Sequence, residues 1–152
     1  MKRIIFFLII IVSLQISFSQ SGWFWQNPLP QGNILHHVYC IDQDNVFAGG
    51  LDGTLIKTTN GGQNWIQLLP NSTFFYGPFY FIDQFTGFML ANNLSGLGQG
   101  RIMKTTNGGL YWSIQPYDST KQFRCIYFPN YLTGYCAGND GIIFKTNDGG
   151  NS

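Results

Sequence analysis

The sequence predicts an all-β fold made of about three copies of one four-stranded antiparallel unit, and three observations support this reading. Among 152 residues there are 19 glycines and 14 phenylalanines, with 17% aromatic and only 10% charged residues. That composition argues for short strands joined by tight turns, against disorder and against long helices. A hexapeptide recurs as Lys57-Thr58-Thr59-Asn60-Gly61-Gly62, Lys104-Thr105-Thr106-Asn107-Gly108-Gly109 and Lys145-Thr146-Asn147-Asp148-Gly149-Gly150. Runs of aromatic and β-branched residues precede each copy, as at 38–41, 79–82 and 125–128.

Taken in order, residues 1–19 are expected to form a secretory signal peptide. Met1-Lys2-Arg3 is basic, residues 4–12 are unbroken hydrocarbon, and Ser17-Phe18-Ser19 offers small residues for cleavage after Ser19. The apolar run is shorter than the ~20 residues a membrane helix needs, so no membrane span is expected after its removal. Without Lys2 and Arg3, six basic residues face seven aspartates. This balance near −1 leaves no electrostatic footprint for nucleic acid.

In the first unit, residues 35–41 and 46–50 read as two strands. Asp52-Gly53 is a two-residue turn suited to the positive φ values of a type I′ hairpin. Residues 54–58 form a third strand, Asn60-Gly61-Gly62 turns again, and 64–68 form a fourth that Pro70 ends. The second unit has the same strands with an insertion at 92–100, and the third matches the first through Tyr135 to Phe144. Units are placed at about 34–70, 78–116 and 123–152. Four strands every ~40–50 residues are the signature of a β-propeller blade. About three blades amount to a partial propeller, since propellers carry ~4–8. Residues 23–30, with Trp25 and Pro30 spaced like Trp65 and Pro70, read as an outer strand closing the last blade. Exposed blade faces are expected to drive self-association.

The spacing Thr-x-Asn/Asp-x-Gly-x-x-Trp resembles the Asp-box, or bacterial neuraminidase repeat. Its positions are Thr58, Asn60, Gly62 and Trp65; Thr105, Asn107, Gly109 and Trp112; and Thr146, Asp148 and Gly150. With the leading Asn27-Pro28-Leu29-Pro30, the repeat domain placed at 20–152 looks most like the photosystem II stability/assembly factor-like repeat family, the resemblance covering roughly residues 23–152. The resemblance implies a propeller and a scaffold or chaperone role. Physically the box is a turn device: Thr and Asn/Asp bond local backbone N–H groups, glycine adopts a conformation a Cβ forbids, and tryptophan pins the fourth strand.

Strand parity puts the boxes at one end of each blade and the longer, more varied loops at the other. Candidate ligand contacts at that other end are Phe74, Phe75, Tyr76 and Tyr117, with Arg101 and Lys121 as nearby cations. Filling the groove between blades is the alternative role for each aromatic. A protein or glycan partner is expected. Catalysis is not: the exported chain has two arginines, Arg101 and Arg124, and no glutamate, whereas a sialidase-like site needs an arginine cluster and an activating glutamate. The alternative is a fragment of an Asp-box glycoside hydrolase, sialidase-like or xyloglucanase-like, with its catalytic residues missing. A pair of aspartates, Asp52 and Asp140, is formally available for such chemistry, but both Asp-Gly pairs are already accounted for as hairpin turns.

No cofactor or metal site is expected. Adjacent His36 and His37 on a strand should point to opposite faces, and Asp42-Gln43-Asp44-Asn45 reads as a turn, since Val46 and Phe47 stand where a calcium loop needs a ligand and a glycine. Cys40 is assigned to the core. Cys125 and Cys136 are compatible with a disulfide across a turn or with two free thiols.

Overall fold

The computed structural model describes residues 22–24, 32–68, 73–93, 99–116 and 120–151. The expected signal peptide, most of the closing strand at 23–30, Pro70 and Tyr117 lie outside them.

Three antiparallel sheets follow one another along the chain. The first contains β1 (Leu35–Cys40), β2 (Val46–Gly50), β3 (Leu55–Thr58) and β4 (Ile66–Gln67). The second contains β5 (Phe74–Phe81), β6 (Gly87–Asn93), β7 (Gly100–Thr105) and β8 (Ser113–Ile114). The third contains β9 (Phe123–Tyr127), β10 (Gly134–Gly138) and β11 (Ile143–Thr146). Each sheet is a meander in which sequence neighbours pair, and the sheets stack face to face as β-propeller blades. The Asp52-Gly53 turn has the expected positive φ at both residues, 53° and 70°, and closes with the Thr54 N–H on the Leu51 carbonyl at 3.0 Å. Among the described residues no helix is long and apolar enough to cross a membrane.

Registers align one row of side chains across each blade: Tyr39, Phe47 and Lys57; Tyr80, Phe88 and Lys104; Tyr127, Tyr135 and Lys145. In the first two blades this row receives the next blade. Phe81 stacks on Phe47 at 5.1 Å between centroids, and Phe128 stacks on Phe88 at 3.9 Å. Phe47 and Phe88 are fully buried, each at the centre of one inter-blade core. Burying rings of this size supplies the main apolar contribution to blade stacking.

The recurring hexapeptides make one hydrogen-bond pattern three times. Thr58 Oγ1 accepts from the N–H groups of Asn60 (3.3 Å) and Gly62 (3.0 Å) and donates to Asn60 Oδ1 (2.9 Å). Thr105 repeats this with Asn107 and Gly109, and Thr146 with Asp148 and Gly150. The first glycine of the pair then joins neighbours in the second and third copies. The Gly108 N–H donates to the Phe85 carbonyl in its own blade (2.9 Å), and its carbonyl accepts from Lys57 Nζ in the preceding blade (2.7 Å). Gly149 bonds the Leu132 carbonyl (2.8 Å) and Lys104 Nζ (2.7 Å) in the same way. Lys57 is buried, and that burial lowers its pKa against a smaller raising effect from Asp42. A charged donor on a backbone carbonyl is the kind of bond that tolerates such burial.

Trp112 packs both within its own blade, on Phe81 and Gly109, and across to Phe47 of the preceding blade. Trp112 lies edge-on to Phe47 (6.3 Å) and Phe81 (5.9 Å), and its Nε1 donates to the Gly109 carbonyl at 3.0 Å. Trp65 is half-buried.

All three cysteines are free. Register pairs Cys136 with Ile126 and Cys125 with Ala137, so the two thiols occupy opposite faces of the sheet and cannot bridge. Burial, with a smaller effect of Cys125, pushes the Cys136 thiol up to about 12. Cys40 is exposed rather than in the core. It follows Tyr39 on β1, so alternation turns it away from the second blade.

Candidate functional site

A cleft of about 450 Å³ opens where β1, β5 and β9 begin, at the end opposite the hexapeptide turns. All three blades contribute to it. The first gives His36 and His37, the second Phe75 and Asn93, and the third Gln122 and Arg124.

The histidines do not diverge as a regular strand would have them. The β1–β2 register shifts between Leu35 and His37, and this bulge breaks the two-residue alternation. Both imidazoles therefore meet the Phe75 ring edge-on, His36 at 5.2 Å and His37 at 5.3 Å. Gly77 lets the second blade approach, since a Cβ there would stand 2.6 Å from His37 Cδ2. Gly77 and Pro78 themselves form a bulge in β5, an edge strand where proline is tolerated.

The opposite wall is held by amide side chains. Asn92 is buried and behaves like a strand residue laid across two blades: Nδ2 donates to the Phe123 carbonyl and Oδ1 accepts the Phe123 N–H, both at 2.9 Å. Arg124 Nε donates to Asn139 Oδ1 at 2.9 Å, which holds the guanidinium at the rim. The described lining contains one guanidinium, two imidazoles and no carboxylate. Such a set suits an anionic group on an extended ligand, with Phe75 as an apolar floor.

Burial, and secondarily the charge of His36, holds the His37 imidazole below its ordinary value. A depressed folded-state pKa means the folded chain resists protonation, so this contribution to stability is intact above pH ~6.5 and is lost as pH falls below it. His37→Gln is expected to flatten the decline in urea midpoint between about pH 7 and 5. An unchanged decline would assign the effect to other groups.

Of the candidates read from sequence that lie among the described residues, only Phe75 lines this cleft; Tyr117 lies outside them. Phe74 is half-buried beneath the Arg101 guanidinium, 4.2 Å from its ring centroid. Tyr76 is buried in the core between the first two blades, which removes it from the solvent-facing set. Lys121 is ion-paired with Asp140 at 2.9 Å. Gln122, Asn93 and the placement of Arg124 are not singled out by the sequence, which only argues against His36 and His37 as joint metal ligands. The signal that finds them is alignment across repeats: His36, Gly77 and Arg124 all stand three residues before the tyrosine of their row.

Asp42 serves a turn. Its Oδ1 accepts the N–H groups of Asn45 (2.7 Å) and Asp44 (2.9 Å), and these bonds, with that from the Asn45 side chain, hold its carboxyl below the usual range. Asp83 and Asn130 make the same turn in the other blades. Among the described residues no cluster of His, Cys, Asp or Glu could hold a metal ion.

No family model and no curated protein matches the chain. Solved structures do. A structure of YCF48 bound to D1 peptide is 24% identical with a TM-score of 0.64, covering 78% of this chain and 38% of that one. YCF48 from Cyanidioschyzon merolae is 16% identical with a TM-score of 0.66, covering 82% and 40%. A crystal structure of an ancestral GH74 enzyme is 19% identical with a TM-score of 0.66, covering 78% and 18%. The likeness is one of fold, and the chain spans about two fifths of the YCF48 chains and under a fifth of the GH74 chain.

Proposed function

We propose that this chain is an exported, non-catalytic propeller module that seats a polypeptide segment, through a carboxylate of that segment, in the cleft between His36, Phe75 and Arg124. The observation that carries this reading is the convergence of three strand starts on one cleft whose described lining holds the Arg124 guanidinium and no carboxylate, with a pre-arranged wall. The threefold Thr–Asn/Asp–Gly turn supports assigning the repeats to the Asp-box kind. The fold shared with YCF48, solved with a D1 peptide, supports an assembly-factor-like scaffold role. Export rests on the basic, apolar and small-residue order of residues 1–19. The glycoside hydrolase reading is weaker: Asp52 and Asp140 sit at positive φ in turns, and Asp140 is engaged by Lys121.

The test uses the secreted chain, expected by mass to begin at Gln20, against an array of synthetic peptides and soluble oligosaccharides. Peptides with free carboxylates are expected to bind. Arg124→Ala should weaken them at least about tenfold, the scale of one lost charge-assisted bond. Arg101→Ala, whose guanidinium covers Phe74, should leave affinity unchanged. Binding confined to oligosaccharides, or indifferent to Arg124, overturns the proposal.

A further inference from the structure

The first strand of every blade is irregular where it enters the cleft. The β1–β2 register leaves His36 as an extra residue between Leu35 and His37, and the β9–β10 register leaves Arg124 as an extra residue between Phe123 and Cys125. In β5 the irregularity falls at Gly77 and Pro78. Bulges re-aim side chains and recur beside functional sites. Here the bulged position holds a guanidinium in the third blade, an imidazole in the first and no side chain in the second. The second blade contributes room instead, because a Cβ on Gly77 would stand 2.6 Å from His37 Cδ2. One cation of the cleft is therefore permanent, and its counterpart in the first blade is a group that changes charge between pH ~5 and ~8.

No carboxylate of the described lining is there to neutralise a protonated imidazole. β1 brings only the two imidazoles as titratable groups of the lining, while β5 and β6 bring none. The β2–β3 turn brings Leu51, and the exposed Asp52 beside it is not part of the lining. β9 brings Arg124; Lys121 and Asp140, outside the lining, are paired with each other at 2.9 Å. The depression of the His37 pKa has burial and the charge of His36 as its causes, with no carboxylate opposing them. An anion entering the cleft supplies the counter-charge that the described residues lack.

We propose that the cleft responds to acid: protonation of the His36–His37 pair adds positive charge beside Arg124 and tightens its hold on a ligand carboxylate. This regulation presupposes that the cleft holds a carboxylate. Proton and ligand then act reciprocally, so a bound carboxylate raises the histidine midpoints by the same factor by which acid raises affinity.

The chain has two histidines in all, both in the cleft, so every imidazole signal of the untagged secreted chain reports on it. The probe is N-acetylphenylalanine, whose carboxyl, with a pKa near ~3.5, stays ionised from pH 7.5 to 5.5. Followed by NMR at the imidazole and Arg124 Nε–H signals, its affinity should rise at least about fivefold over that range, the upper end for one partly exposed ion pair. Saturating probe should raise a histidine midpoint by about 0.7 pH. N-Acetylphenylalaninamide should leave both midpoints in place, and the double variant His36→Gln, His37→Gln should bind the probe equally at both pH values. Binding that moves the Arg124 signal but is level with pH, with unmoved midpoints, overturns the acid response and leaves the carboxylate cleft standing. An equal rise with the amide overturns it too. If no imidazole or Arg124 signal moves at tens of millimolar probe, both readings fall. The midpoints of the unaltered chain decide the matter if the double variant does not fold.

Discussion

Phe88→Ala is expected to lower the unfolding free energy by ~3–5 kcal/mol, the range for truncating a buried phenylalanine whose surroundings cannot collapse. Collapse is blocked on two sides. The Phe128 ring lies 3.9 Å away at 13°, and a Cβ on Gly150 would stand 3.0 Å from Phe88 Cε1. Lys104 also loses an aromatic face 5.6 Å from its Nζ. The control is Tyr135→Ala at the same register position of the third blade, where the ring is 43% exposed. It should cost no more than ~1 kcal/mol, as surface changes do. Urea denaturation of both variants decides it: similar midpoints would mean that blade stacking does not depend on this row.

Gly109→Ala should be nearly as damaging, although it adds one methyl group. Its φ is +80°, a conformation that costs an L-residue ~1–2 kcal/mol. The new Cβ would also lie 2.3 Å from Phe47 Cζ, so a fully buried ring must move and overpacking adds ~1–3 kcal/mol. Gly141→Ala separates the two causes. There φ is +71° but nothing lies within 4 Å of the Cβ position, so only the backbone cost remains. Thermal or urea unfolding should rank Gly109→Ala well below Gly141→Ala in stability. Equal effects would exclude the clash with Phe47.

The blades were readable because their determinants are local. The box spacing, the Asp52-Gly53 turn and the row Tyr39, Phe47 and Lys57 all lie within one repeat, and each obeys a short-range rule of period or turn chemistry. What one repeat does to the next was harder to read. Lys57 and Gly108 are 51 residues apart, and nothing near either one marks the contact. The site suffered most from bulges. Phe74, Phe75 and Tyr76 form an aromatic run, and the irregularity at Gly77 and Pro78 helps decide which ring turns inward. The bulge at His36 likewise has no local marker, yet it brings both imidazoles onto Phe75.

One peptide unit, that of Gly108, is shared between the turn of its own blade and the ammonium of the blade before. Melting the second blade would remove the Lys57 acceptor and expose the apolar row around Phe47 that this blade covers, a cost borne by the first blade. Fraying is thereby discouraged, and the blades behave as coupled units of a nearest-neighbour chain rather than as independent beads.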